Sequence, residues 1–149
     1  MERTAISIRR AAREDASAIA QLSNTLGYSA EPAAIAERLR AILGSEADLV
    51  IVAEDTHRGV IGWLQAHAAQ IVESGFRVEI TGLVVSPTRR RRGVGRALVD
   101  EAERWAKAIA AEAIVVRSNV QRTESHAFYP ASGYIATKTQ NVYRKPLKK

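Results

Sequence analysis

The sequence predicts one mixed α/β domain, of the α+β kind, with about four helices around a mostly antiparallel sheet. Three observations predict it. A short strand signal at Ile6 and Ile8 is followed by two helical stretches. From Leu49 to Val85 strand signals follow one another with no room for helices between them. After that the pattern becomes helix, strand, helix, strand, which closes a single mixed sheet rather than a doubly wound parallel one.

Ile6 and Ile8 alternate with polar neighbours as in a half-buried strand. Asp15 stands where a helix cap belongs, and Ile19, Leu22 and Leu26 follow at helical spacing up to Gly27. Pro32 suits the first turn of a second helix with Ile35, Leu39 and Ile42 or Leu43 on its stripe and Gly44 at its end. Leu49 to Glu54 and Val60 to Ala68 form a hairpin about the turn Thr56 to Gly59, and Ser74-Gly75 makes the next turn. Alternation from Phe76 passes into Leu83-Val84-Val85 before Ser86-Pro87 stops it. Leu98, Ala102, Trp105 and Ile109 recur at helical spacing, and Ala113 to Val116 is a short buried strand. Ser125 to Ala131 reads as a short helix interrupted by Pro130, with Gly133 at its end. Tyr134 to Thr137 and Val142 to Arg144 then read as two last strands.

With 149 residues, 46% apolar and 26% charged, the chain has the composition of one soluble globular domain spanning 1–149, and no repeat or linker argues for a second. No window offers the ~18 uninterrupted apolar residues of a membrane span, and Met1-Glu2-Arg3-Thr4 lacks a secretory core. The expected location is the cytoplasm, away from membranes. The absence of cysteine excludes disulfides, zinc-thiolate sites and thiol nucleophiles, and no metal is expected. A net charge of +6 favours anionic partners.

Much of that charge lies in Arg89 to Arg92, directly before Gly93-Val94-Gly95 and between a strand and a helix. Such a loop is an anion cradle. Glycines let backbone N–H groups approach a ligand, and the helix start adds unpaired donors and positive dipole. A nucleotide P-loop would require Gly-Lys-Ser/Thr, whereas Gly95 is followed by Arg96 and Ala97. A dinucleotide fingerprint would require a small residue at Leu98 and an acid near Arg117. Both readings fail.

Arg90, Gly93 and Gly95 match the signature Q/R-x-x-G-x-G/A, and Phe128-Tyr129 with Gly133-Tyr134 is similar to F-Y-x-x-x-G-F/Y. On these two motifs nearly the whole chain resembles the GNAT family of N-acetyltransferases, which bind acetyl-coenzyme A and acetylate amines. The resemblance implies a sheet splayed beside its cofactor strand. Leu83, Val84 and Val85 would offer backbone groups to the pantetheine arm. Arg90, Arg91, Arg92, Gly93, Val94, Gly95 and Arg96 would hold the phosphates, and Asn119 would contact the cofactor or order a water. Tyr129 is implied as the general acid for the leaving thiolate and Glu79 as the general base, with no covalent intermediate. Pro130, directly after the tyrosine, departs from the family pattern.

Acceptor recognition is expected from the two N-terminal helices and the hairpin Gln65 to Gly75, with Glu31, Glu37 and Glu73 available to attract a cationic amine. Two rival readings are a nucleic-acid-binding module gripping phosphates through Arg89 to Arg92, and a regulator that binds acyl-CoA without activity. The scarcity of aromatics and the position of the arginines before a glycine turn argue against nucleic acid. A homodimer through the last strands is compatible with the resemblance.

Overall fold

Strand β1 (Ile6–Arg10), helices α1 (Ala16–Thr25) and α2 (Pro32–Leu43), and the strands β2 (Asp48–Asp55), β3 (Gly59–Ile71) and β4 (Gly75–Val85) follow the order of the apolar patterns. Helix α3 (Val94–Ala108), strand β5 (Ala113–Val116) and helix α4 (Thr123–Ala131) complete the elements. These come from a computed structural model, which describes residues 6–89, 93–117 and 123–148. The chain divides into two compact units, Met1–Arg117 and Ser118–Lys149.

In the first unit the five strands lie in sequence order, β1-β2-β3-β4-β5. Every pair is antiparallel except β4 with β5, which run parallel across the α3 connection. Strand β2 is buried on both faces, which its continuous apolar run requires. Val50 and Val52 pack against Ala16, Ile19 and Leu39 of the two N-terminal helices. Their neighbours Leu49, Ile51 and Ala53 alternate to the opposite face, where α3 lies with Val94, Leu98, Val99 and Ala102 buried.

Gly62 sets how closely α3 approaches the sheet. A Cβ there would lie 3.1 Å from the Val84 carbonyl oxygen and 3.3 Å from Leu98 Cδ1 and Val94 Cγ1. Gly62→Val is therefore expected to push the start of α3 off the sheet, losing about 1–3 kcal/mol as overpacked cores do. Urea unfolding measures the loss, and an unchanged midpoint would contradict this packing.

Asp15 does not cap α1 as its position suggests. No side-chain hydrogen bond caps that helix. Its carboxylate instead accepts from the Ala12 N–H at 2.7 Å and from the Arg9 guanidinium at 2.8 and 2.9 Å. Arg9 also donates to Glu54 on β2, so one guanidinium ties β1, β2 and the entry to α1 together. The Arg9 hydrogen bonds hold the Asp15 carboxyl below its usual range, against the opposing effect of burial. A carboxyl so depressed stabilises the fold fully above its unfolded-state pKa and loses that contribution as pH falls through the folded value. Asp15→Asn is expected to lower thermal stability at neutral pH, with the gap to wild type narrowing in acid. Melting curves across pH test this, and a gap that stays constant would contradict the pairing.

In the second unit, α4 reaches Ala131 with Pro130 inside its last turn rather than breaking it. Gly133 takes a left-handed φ of +90°, and the Tyr134 N–H donates to the Tyr129 carbonyl at 3.0 Å, which closes the helix end. The two strands expected at 134–137 and 142–144 are not formed. Ile135, Val142 and Tyr143 stay exposed among lysines, threonines and amides, so their β-propensity meets no buried face to reward it.

Candidate active site

Helix α3 begins at Gly93, whose φ of +79° is the left-handed conformation that favours glycine. Among the described residues a Cβ at Gly93 would meet nothing within 4 Å. The first helical bond is Ala97 N–H to the Gly93 carbonyl, at 2.9 Å. The N–H groups of Val94, Gly95 and Arg96 therefore lack intrahelical acceptors and carry the positive end of the dipole. Val94 is buried and anchors this start, while the Arg96 guanidinium turns back to Asp100 at 2.9 Å. Arg90, Arg91 and Arg92, also expected at the phosphates, lie outside the described residues, as does Asn119.

The strand leading to this loop is open along one side. Pairing of β4 with β5 stops at Ile80 opposite Val116, and beyond it Thr81 to Val85 have no neighbour on that side among the described residues. Which backbone groups face the gap follows from hydrogen-bond phase. Glu112 N–H donates to the Phe76 carbonyl at 2.8 Å, so even-numbered residues of early β4 turn towards β5. Ser86 N–H donates to the Ile61 carbonyl at 2.8 Å, so late in β4 the even-numbered residues turn towards β3 instead. The phase changes at an irregularity where Gln65 faces Gly82 and Ala66 faces Ile80, leaving Thr81 as the extra residue of a bulge. Of the expected trio, Leu83 and Val85 thus present N–H and C=O to the open edge, while those of Val84 are used by β3.

The bulge lies beside a polar area on the sheet face that carries α1 and α2. Those helices cover Val50, Val52 and Trp63. Gly82 sits against the Trp63 indole, which would be 2.7 Å from an added Cβ. Further along the strands the same face carries His67 and Glu79, directly opposite each other, with Asp48 opposite His67 on its other side. Asp48 Oδ1 lies 2.8 Å from His67 Nδ1, and Arg117 donates to Glu79 Oε1 at 2.5 Å. The side chains of Asp48 and Glu79 are 16% and 23% exposed, against 48% for His67, so two sheltered carboxylates flank an accessible imidazole.

Glu79 is therefore an ion-paired carboxylate on the helix-bearing face. His67 and Asp48 were not singled out from the sequence, although His67 falls within the hairpin expected to meet the acceptor. The signal was present in the alternation of Gln65 and His67 on β3 with Arg77, Glu79 and Thr81 on β4, polar where a helix-covered face should be apolar. Of the glutamates expected to attract an amine, Glu37 is exposed and paired with Arg40 at 2.6 Å, Glu31 precedes α2, and Glu73 is exposed in the β3–β4 turn.

Tyr129 belongs to the second unit. Its ring packs edge-on against Phe128 at 5.0 Å and Tyr134 at 5.7 Å, so the F-Y and G-Y parts of the motif form one aromatic cluster.

Comparison with known proteins agrees with this architecture. The profile of the acetyltransferase (GNAT) family matches residues 14–134. Among solved structures, the aminoglycoside 6'-N-acetyltransferase AAC(6')-Ih from Acinetobacter baumannii is 21% identical with a TM-score of 0.83, covering 97% of this chain and 100% of its own. The aminoglycoside N-acetyltransferase AAC(6')-Iy in complex with CoA is 21% identical with a TM-score of 0.86, covering 97% of each chain. A protein described as a transcriptional regulator from Bacillus halodurans C-125 is 22% identical with a TM-score of 0.86, covering 95% of this chain and 100% of its own. A search of the curated proteins finds no match. Among the described residues no helix is long and apolar enough to cross a membrane. The five-stranded sheet that opens beside β4, the glycine-started helix after it and a family profile spanning most of the sequence agree: this chain belongs to the GNAT acetyltransferase family.

Proposed function

We propose that this protein transfers the acetyl group of acetyl-coenzyme A directly to a primary amine. The observation that carries the reading is the opening of β4 from β5, followed along the chain by a helix whose first N–H groups have no intrahelical acceptor. An edge offering the N–H and C=O of Leu83 and Val85 fits an amide-bearing arm, and the donors of Val94, Gly95 and Arg96 fit a diphosphate. The arginines at 90–92 would add charge to the same anion, and Asn119 is proposed as a cofactor contact. The structural relative AAC(6')-Iy in complex with CoA supports the choice of ligand.

A bound acetyl-CoA would supply an activated thioester. The amine must lose a proton to attack, and the departing thiolate must gain one. Tyr129 is proposed as the donor to sulfur. A thiol of pKa about 8.5 is a fair leaving group, so assistance from a phenol suffices. Glu79, beside the open edge and sheltered, is proposed as the acceptor-side carboxylate, either taking the proton or holding the ammonium.

A panel of amines assayed by release of free thiol tests the reading. It should include an aminoglycoside, a polyamine, an amino acid, a peptide N-terminus and a lysine side chain. Thiol release dependent on one class is expected. Absence of transfer to any, with acetyl-CoA bound, would favour the inactive acyl-CoA-binding regulator. Nucleic-acid binding that falls steeply with salt and is indifferent to coenzyme A would favour the other rival.

A further inference from the structure

We propose that His67 is the catalytic base that takes the proton from the acceptor amine, with Asp48 as its positioning residue. This rests on the acetyl-transfer reading and assigns within it a residue that the family motifs do not include.

Two groups on the open part of the sheet face are placed to meet an amine, Glu79 and His67, and their partners differ in kind. Glu79 gives an oxygen to the Arg117 guanidinium. That oxygen is occupied by a guanidinium N–H, and the charge-assisted pairing leaves the other oxygen suited to holding an ammonium. His67 has the opposite arrangement. An ionised carboxylate only accepts hydrogen bonds, so the 2.8 Å contact with Asp48 requires the proton of a neutral imidazole to sit on Nδ1. Nε2 then carries the free lone pair, and no described residue forms a hydrogen bond to it. A sheltered aspartate that fixes the tautomer and supports the imidazolium as it forms is the supporting half of a hydrolase triad, here built across two adjacent strands.

The position is consistent with that role. His67 is opposite Glu79, two residues along β4 from the bulge at Thr81, after which the free edge begins. An ammonium held at Glu79 is therefore beside the imidazole and on the way to the edge. Side-chain exposure of 48% gives His67 a route to solvent for the proton it collects.

The step balances as follows. An ammonium R–NH3+ gives one proton to Nε2 of His67, leaving a neutral amine. The nitrogen lone pair attacks the acetyl carbon, the C–N bond forms and the C–S bond breaks with its electron pair on sulfur. A second nitrogen proton is lost to water while the sulfur takes one up, and the His67 proton passes to water.

The test combines kinetics with nitrogen NMR of the imidazole. His67→Gln is expected to lower kcat about a hundredfold, the scale of a lost general base, while acetyl-CoA affinity stays within about twofold because no cofactor group is touched. Glu79→Gln should act mainly on KM for the amine. Long-range proton–nitrogen correlations, assigned with the His67→Gln variant, should show for the neutral imidazole a protonated Nδ1 and a bare Nε2. Asp48→Asn should abolish that preference and reduce kcat with it. A His67→Gln enzyme with wild-type kcat would overturn the assignment, as would a wild-type His67 with its proton on Nε2. If instead the wild type transfers acetyl to no amine, the acetyl-transfer reading falls, and the tautomer measurement still decides whether Asp48 orients His67.

Discussion

Gly95→Glu is expected to abolish acetyl-CoA binding, with affinity falling about a hundredfold or more as charge repulsion and bulk enter a site made of backbone donors. Gly95 is the second residue of α3, one of the three whose N–H groups lack intrahelical acceptors. A carboxylate there would place negative charge where the helix start favours an anion. Glutamate is an acceptable helix former, so α3 itself should persist. Calorimetry measures the affinity, and circular dichroism confirms the helix. An unchanged dissociation constant would move the phosphates elsewhere. Gly95→Ala provides the graded comparison, since it adds only a methyl group and should weaken binding far less.

The second large effect is expected on turnover. Tyr129→Phe removes one hydroxyl and keeps the ring that packs against Phe128 and Tyr134. The unit should therefore stay folded. Loss of the acid should lower kcat about ten- to a hundredfold, at or below the usual range for general acid catalysis because a thiolate leaves without full protonation. Affinity for acetyl-CoA should remain near that of wild type. This separation of kcat from binding is the signature of a group acting in the transition state. Equal turnover in the phenylalanine variant would remove Tyr129 from the mechanism and leave the aromatic cluster a packing role.

The parts of the fold legible in the sequence are those decided by neighbours along the chain. The β4–loop–α3 succession could be read because an alternating strand, a proline stop, two glycines and an amphipathic helix each leave a local mark. Strand β5 was equally plain, being a short β-branched run. Long-range partners decided the rest. Asp15 has the chemistry of a helix cap, yet the Arg9 guanidinium brought in by β1 takes its carboxylate. Ile135, Val142 and Tyr143 have strand propensity and find nothing to pack against. The bulge at Thr81 has no signature residue, although it decides that Leu83 and Val85, and not Val84, face the open edge. Asp48 and His67 are brought together by the register of β2 and β3, so the polar alternation on β3 and β4 marks the face but not the partner.

The central claim is that the parted edge of β4 and the first turn of α3 form one continuous binding surface. Backbone amide NMR during an acetyl-CoA titration tests it most directly. The predicted result is a set of large, saturable shifts at Leu83, Val85, Val94, Gly95 and Arg96, with Val84 shifting much less because its N–H is committed to β3. Shifts confined to other strands, or saturable binding that leaves these amides unmoved, would contradict it.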